Sequence, residues 1–138
     1  LIEGIKDGTI DMIATDHAPH SSKEKSRGLE KSAFGIVGLE TSFALLNTYL
    51  VQKGIITPEE LVKLMSINPR ERFNIPGPRT LGEGTEICDI TVLDPNKIWT
   101  IDSEEFMSKG RATPFDGDEV VGKVSATFVG GILKYLEV

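Results

Sequence analysis

An apolar run, Ile10-Asp11-Met12-Ile13-Ala14, leads directly into Thr15-Asp16-His17-Ala18-Pro19-His20, and no other stretch constrains the chain as much. The run has the length and character of a short buried strand. An acidic residue then stands where that strand would end. In parallel α/β folds, ligands bind beyond the carboxyl ends of the strands, and residues placed there carry chemistry. Asp16 is therefore the leading catalytic candidate. A carboxylate can bind a divalent cation and relay a proton, which suits hydrolysis at a carbonyl. Taken alone, an Asp-His-x-x-His pattern also suits an ordinary polar loop, and spacing does not separate the two readings.

Other chemistries find little support. Zinc takes about three or four protein ligands, and the candidates here, Asp16, His17, His20 and Cys88, lack any familiar ligand spacing. No His-x-His, His-Glu-x-x-His, Cys-x-x-Cys or Gly-x-Ser-x-Gly pattern is present. Fifteen Lys and Arg stand against 21 Asp and Glu, a net charge of -6. That balance argues against a broad nucleic-acid or anionic-membrane surface, because both need clustered positive charge. No run of apolar residues is long enough to span a bilayer. The single cysteine, Cys88, falls in a strand-like stretch and reads as a buried, inert thiol, in keeping with a reducing cytoplasm. The chain opens Leu1-Ile2-Glu3-Gly4, with neither Met nor a leader pattern, so we read it as a piece of a longer polypeptide.

Periodicity divides the chain. Leu1 to Gly8 reads as a helix end, Ile10 to Thr15 as a strand, and the charged stretch Ser21 to Ser32 as an exposed, mobile loop. Leu39, Phe43, Leu46 and Leu50 form one helical stripe that Gly54 closes. Thr57-Pro58-Glu59-Glu60 announces a second helix through a capping box with Pro at the first position, and Leu61, Leu64 and Met65 form its buried face. Asn68-Pro69 starts a short turn ending near Phe73. Turn residues then cluster, and we place a boundary there, dividing residues 1–75 from 76–138. Beyond it, Ile87 to Leu93 reads as a strand closed by Asp94-Pro95, Ile98 to Ile101 as a second short strand, and Ser103 to Lys109 as a helical turn. Gly130-Gly131 predicts a hairpin between Val120–Phe128 and Ile132–Val138. Gly82-x-Gly84 is too short for a nucleotide loop.

The stretch from Ile10 to His20 resembles the last barrel strand of dihydroorotases. Further matches are Phe34-Gly35-Ile36-Val37-Gly38-Leu39-Glu40, Asn68-Pro69, Gly84 with Cys88 to Asp94, and Ser108-Lys109-Gly110 with Thr113-Pro114-Phe115. Order and spacing agree over essentially the whole chain, as in the long bacterial or multifunctional type. The resemblance implies an α/β fold: the C-terminal part of a (β/α)₈ amidohydrolase barrel in residues 1–75, and the C-terminal strands of a small β-sandwich-like domain in 76–138. It implies reversible hydrolysis of L-dihydroorotate to N-carbamoyl-L-aspartate in pyrimidine synthesis, with two zinc ions per complete site. Asp16 would ligate metal and shuttle the proton to the leaving amide nitrogen. His20 would contact substrate, the backbone of Phe34 and Gly35 would touch the pyrimidine ring, and His17 would play a supporting part. The remaining metal ligands and the substrate arginine would lie upstream of Leu1, so this piece alone would be inactive. Expected partners are the small-molecule substrate, the N-terminal portion of the same protein, a second copy of the protein and aspartate transcarbamoylase. Two alternatives stay open: another cyclic amidase, such as an allantoinase or hydantoinase, or a non-catalytic scaffold for aspartate transcarbamoylase.

Overall fold

The computed structural model describes residues 1–77 and 89–137. Five short helices come first: α1 (Ile2–Lys6), α2 (Ser22–Lys25), α3 (Ser42–Leu46), α4 (Pro58–Val62) and α5 (Asn68–Arg72). Wider π-helical turns, Asn47–Val51 and Lys63–Ile67, continue α3 and α4. Three strands follow, β1 (Ile90–Thr100), β2 (Glu119–Val129) and β3 (Ile132–Leu136), in one antiparallel sheet of order β1-β2-β3. The chain is thus α/β, with helices preceding a small antiparallel sheet. Cys88, Gly82, Gly84 and the start of the strand expected from Ile87 lie outside the described residues.

The helix starts follow their capping chemistry. Thr57 Oγ1 accepts the Glu60 N–H at 3.2 Å, and the Glu60 carboxylate accepts the Thr57 N–H at 2.7 Å. Pro58, at the first helical position, has no N–H to leave unpaired. The same reciprocal box, Ser21 with Glu24, opens α2. The stretch Ser21 to Ser32, expected to be an exposed, mobile loop, is largely exposed and carries this helical turn. Its Ser-x-x-Glu signature was present in the sequence. Gly54 ends the π-helical extension of α3 with φ at 65°, a left-handed conformation that costs glycine little.

Ile10 to Thr15, expected as a strand, joins no strand ladder among the described residues. A ladder needs a neighbouring strand paired over several residues, and here only His17, just beyond the segment, finds a partner, in a single parallel bridge to Ile36. The helices hold the segment instead. Ile13 N donates to Leu64 O at 3.0 Å, Asn68 Nδ2 donates to Asp11 O at 2.7 Å, and Arg72 pairs with the Asp11 carboxylate.

The strand expected to stop at Asp94-Pro95 does not stop. β1 runs through both residues as one 11-residue strand. Asp94 pairs with Lys123 and Ile98 with Val121, so three residues of β1 stand opposite one of β2. Pro95 sits in this bulge, where a missing N–H breaks no ladder bond. The Asp94 carboxylate caps the bulge by accepting the N–H groups of Asn96 at 2.9 Å and Lys97 at 3.2 Å. The expected hairpin is present. Gly130 and Gly131, at φ 58° and 75°, make a turn with two left-handed residues, the geometry that matches strand twist.

Helix α3 docks on this sheet through polar groups. Asn47 is 2 % exposed, and its Nδ2 donates to Pro95 O at 3.0 Å and Val121 O at 2.9 Å. Thr48 Oγ1 accepts the Val121 N–H at 2.8 Å. Gly122, at φ 104°, lets the helix approach; a Cβ there would lie 2.9 Å from both Asn47 Nδ2 and Phe43 Cε1. One apolar cluster, including Val37, Ala44, Ile101, Phe106 and Val120, joins helix to sheet. A second, including Leu50, Ile56, Leu61 and Leu64, joins the helices. The expected stripe is buried at Leu50, whereas Leu39 at its start is 60 % exposed.

A third polar group ties the sheet together. The Glu137 carboxylate accepts from Lys123 Nζ at 2.6 Å, from Lys97 Nζ at 3.4 Å and from the Tyr135 hydroxyl. These donors, Lys123 first, hold its carboxyl down at about 2, while the bond to Glu137 pushes the Tyr135 hydroxyl up to about 12.

Two outcomes are expected. Asn47→Ala removes a buried donor from the Pro95 and Val121 carbonyls and should destabilise the fold by about 1–3 kcal/mol; a change below about 0.5 kcal/mol on denaturant titration would refute the docking role. Glu137, with its folded pKa depressed from 4.5, stabilises the fold above the ordinary value and loses that contribution as pH falls from 4.5 towards 2. The melting temperature of Glu137→Gln should therefore lie below wild type at pH 7 and converge with it on acidification. A gap that widens on acidification would reverse the sign.

Candidate functional site

The loop Thr15–His20 is built by close approach. Ala18 N donates to Ile36 O at 2.9 Å, laying the loop beside residues 34–38. Three glycines lie under it. A Cβ on Gly38 would lie 2.8 Å from Thr15 O, one on Gly35 2.6 Å from Ala18 Cβ, and one on Gly110 2.7 Å from Pro19 Cβ. No other residue type could let the loop settle so near these backbones.

Asp16 takes φ 46°, one of two non-glycine residues in the left-handed region among those described. Asp tolerates that region better than most residues, but it is still uncommon, and such backbone concentrates at functional sites. The side chain is exposed, and no described residue donates to its carboxylate. Among the described residues it is thus an unengaged carboxylate at the head of a tightly seated loop.

His17 faces inwards. Its Nδ1 accepts the N–H groups of Gly38 at 3.1 Å and Leu39 at 3.3 Å. An Nδ1 used as acceptor leaves the ring proton on Nε2. His17 therefore ties the Asp16 loop to residues 38–39. His20 is half-buried, with its ring edge, Cδ2, 3.3 Å from where a Gly35 Cβ would stand. The Phe34 side chain is 95 % exposed. The expected site residues Asp16, His20, Phe34 and Gly35 thus lie on two adjoining segments. Cys88 lies outside the described residues.

Lys25 lies in the charged stretch Ser21 to Ser32. Its Nζ donates to Ala33 O at 3.0 Å and Gly35 O at 2.9 Å, and so pins the segment carrying Phe34 and Gly35. No sequence signal separates it from Lys23 or Lys31. Glu24, beside it, has its carboxyl held below the usual range by hydrogen bonds from Ser21.

A cavity of about 410 Å³ lies elsewhere, between α3 and the sheet, lined by Phe43, Trp99, Lys123, Tyr135 and Glu137 among others. Asp16, His17 and His20 do not line it. Trp99, Lys123, Tyr135 and Glu137 in its walls are already engaged in structural bonds. Among the described residues, no three His, Cys, Asp or Glu side chains converge to hold a metal ion. The donors present do not by themselves make a metal site; Asp16 fits as one contributing ligand.

The amidohydrolase family profile matches residues 1–133, and the chain belongs to that family. Within it, the chain is similar to dihydroorotases. The dihydroorotase of Listeria welshimeri is 52% identical over 137 residues, covering 99% of this chain and 32% of that protein. The dihydroorotase of Thermoanaerobacter sp. strain X514 is 50% identical over 135 residues, covering 98% of this chain and 31% of that protein. Among solved structures, the L-hydantoinase (dihydropyrimidinase) of Arthrobacter aurescens matches with a TM-score of 0.85 at 32% identity, over 99% of this chain and 32% of that one. The chain spans about a third of the length of the relatives it matches. The resemblance drawn from the motifs is thus met across nearly the whole sequence.

Gly35→Ala should be costly. Its φ of 121° is strained for alanine, and the new Cβ meets Ala18 at 2.6 Å. A loss of about 2–4 kcal/mol is expected from strain and overpacking together. A melting curve within a degree or two of wild type would mean that the loop is not seated as described.

Proposed function

We propose that the full-length protein carrying this chain is a dihydroorotase, interconverting L-dihydroorotate and N-carbamoyl-L-aspartate. The carrying observation is Asp16, a carboxylate that no described residue engages, in left-handed backbone at the head of a loop seated on three glycines. Identities of 50% and 52% to dihydroorotases support the substrate class.

In this reading residues 1–75 complete a (β/α)₈ barrel and residues 76–138 a small β domain. Asp16 supplies one ligand to a divalent metal site, proposed to hold two zinc ions, whose other ligands come from elsewhere in the protein. When bound, the metal polarises the ring carbonyl and stabilises charge developing on its oxygen. The Asp16 carboxylate takes the proton of the attacking water and delivers it to the leaving amide nitrogen. His20 holds the substrate carboxylate, the backbone of Phe34 and Gly35 lies against the ring, and His17 keeps the loop in register. Pyrimidine synthesis places the enzyme in the cytoplasm, with a second copy of itself as the expected partner. Among the described residues, no helix is long and apolar enough to cross a membrane.

The second reading is a hydantoinase or dihydropyrimidinase, favoured by the structural match to the Arthrobacter protein. Its 32% identity is well below the 50% and 52% of the dihydroorotases. His20 discriminates between the two, because only a substrate with a carboxylate needs a donor there. No observation favours the scaffold for aspartate transcarbamoylase.

Asp16→Asn in the full-length protein should leave folding intact and lower kcat by about 10³-fold or more, the span of acid–base and metal effects combined. Near-normal turnover would sink the assignment. His20→Ala should cost dihydroorotate about 1.5–3 kcal/mol in kcat/KM, the worth of a charge-assisted hydrogen bond. A ring without the carboxylate should be spared; equal losses on both rings would make His20 structural.

A further inference from the structure

We infer that Glu40 is a positioning residue that sets where His20 stands relative to Asp16; this rests on the dihydroorotase reading. Glu40 is exposed, yet both its carboxylate oxygens are engaged by another segment. Oε2 accepts the Met107 N–H at 2.7 Å, and Oε1 accepts the Ser108 N–H at 3.0 Å. Two adjacent amides on one carboxylate make a directional clamp, stronger than neutral bonds because the acceptor is charged.

The clamp closes a ring of contacts around the site. His17 Nδ1 holds Gly38 and Leu39. Glu40, the next residue, holds Met107 and Ser108. Gly110, two residues on, lies against Pro19, with room for no Cβ. Pro19 is two residues from His17 and adjoins His20. The ring therefore starts and ends within the same loop, with Asp16 before its start and His20 after its end. Slippage at Glu40 moves Pro19 against His17, and so His20 against Asp16. Arg111 Nη1, donating to Phe106 O at 2.7 Å and also to Ser108 O, keeps the 106–112 loop in shape, and Val37 N holds its far end at Ala112 O, 3.0 Å away. Phe106 is packed in the helix–sheet cluster at the start of this loop, and Glu40 adds the charged tie to the two residues that follow it.

The test uses the full-length protein and the variants Glu40→Ala, Glu40→Gln and Gly110→Ala. Both kcat and KM are measured on dihydroorotate and on a ring lacking the carboxylate. Glu40→Ala should raise KM for dihydroorotate about tenfold, the scale of one lost hydrogen bond, with kcat within about twofold and the second ring unaffected. Glu40→Gln keeps an acceptor oxygen and should fall between Glu40→Ala and wild type. Gly110→Ala should reproduce the KM shift from the opposite side of the ring. An unchanged KM, or equal losses on both rings, would overturn the inference. Should Glu40→Ala fail to fold, Glu40→Gln and Gly110→Ala decide by the same criterion. Should wild type not turn over dihydroorotate, the functional reading fails, and the clamp is judged by hydrogen exchange. Faster exchange of the Met107 and Ser108 amides in Glu40→Gln supports it, and unchanged rates refute it.

Discussion

The buried carboxamide of Asn47 is the contact on which the rest of the structure depends. It satisfies two carbonyls on different strands, Pro95 in the bulge of β1 and Val121 in β2. Buried polar groups are tolerated only when paired, and here the pairing is what brings helix and sheet together. Gly122 makes the approach close enough, and Trp99 Nε1 takes the Gly122 carbonyl at 2.8 Å. With α3 fixed in this way, Val37 and Ala44 on the helical side pack on Ile101 and Val120 on the sheet side. The segment leading into α3 carries Gly35 and Gly38. The site is therefore placed by a helix–sheet contact that contributes no chemistry of its own.

At the site the same economy of space recurs. Gly35 and Gly38 come from one segment and Gly110 from another, and each removes a Cβ that would collide with the Thr15–His20 loop. The loop is consequently held both by shape and by the His17 bonds to Gly38 and Leu39. No described residue donates to the Asp16 carboxylate. A carboxylate that is positioned yet unspent is what acid–base and metal chemistry require. Lys25 and Glu40 add ties at the edges, both to backbone groups. Backbone anchoring explains how the half-buried Lys25 and the exposed Glu40 can both order a site, because the partner groups have little freedom to lose.

Local chemistry was readable in advance. The Thr57 capping box, the Gly54 stop and the Gly130-Gly131 turn each depend on a few neighbouring residues, and each stands where its signal pointed. The Ser21-Glu24 box carried the same signature inside a charged stretch whose composition suggested only loop. Pro95 misled for the opposite reason. Proline ends a paired strand unless a bulge relieves the ladder, and the bulge is known only once Lys123 and Val121 take up their partners. The run Ile10 to Thr15 has the composition of a strand, yet strand pairing is a property of two segments, and helix-borne groups at Leu64, Asn68 and Arg72 hold it here.

The sequence by itself determined which residues could carry chemistry, Asp16 and His20, and through the resemblance which family they belong to, because residue type and order survive without coordinates. The tertiary structure decided how they are held. That His17 accepts from Gly38 and Leu39, that Asn47 bridges two strands, and that Glu40 reaches Met107 and Ser108 are contacts between residues 21 to 74 positions apart. No local pattern encodes such pairings. They exist only once chain folding has met the entropy of closing those loops and burial has made each unpaired polar group costly.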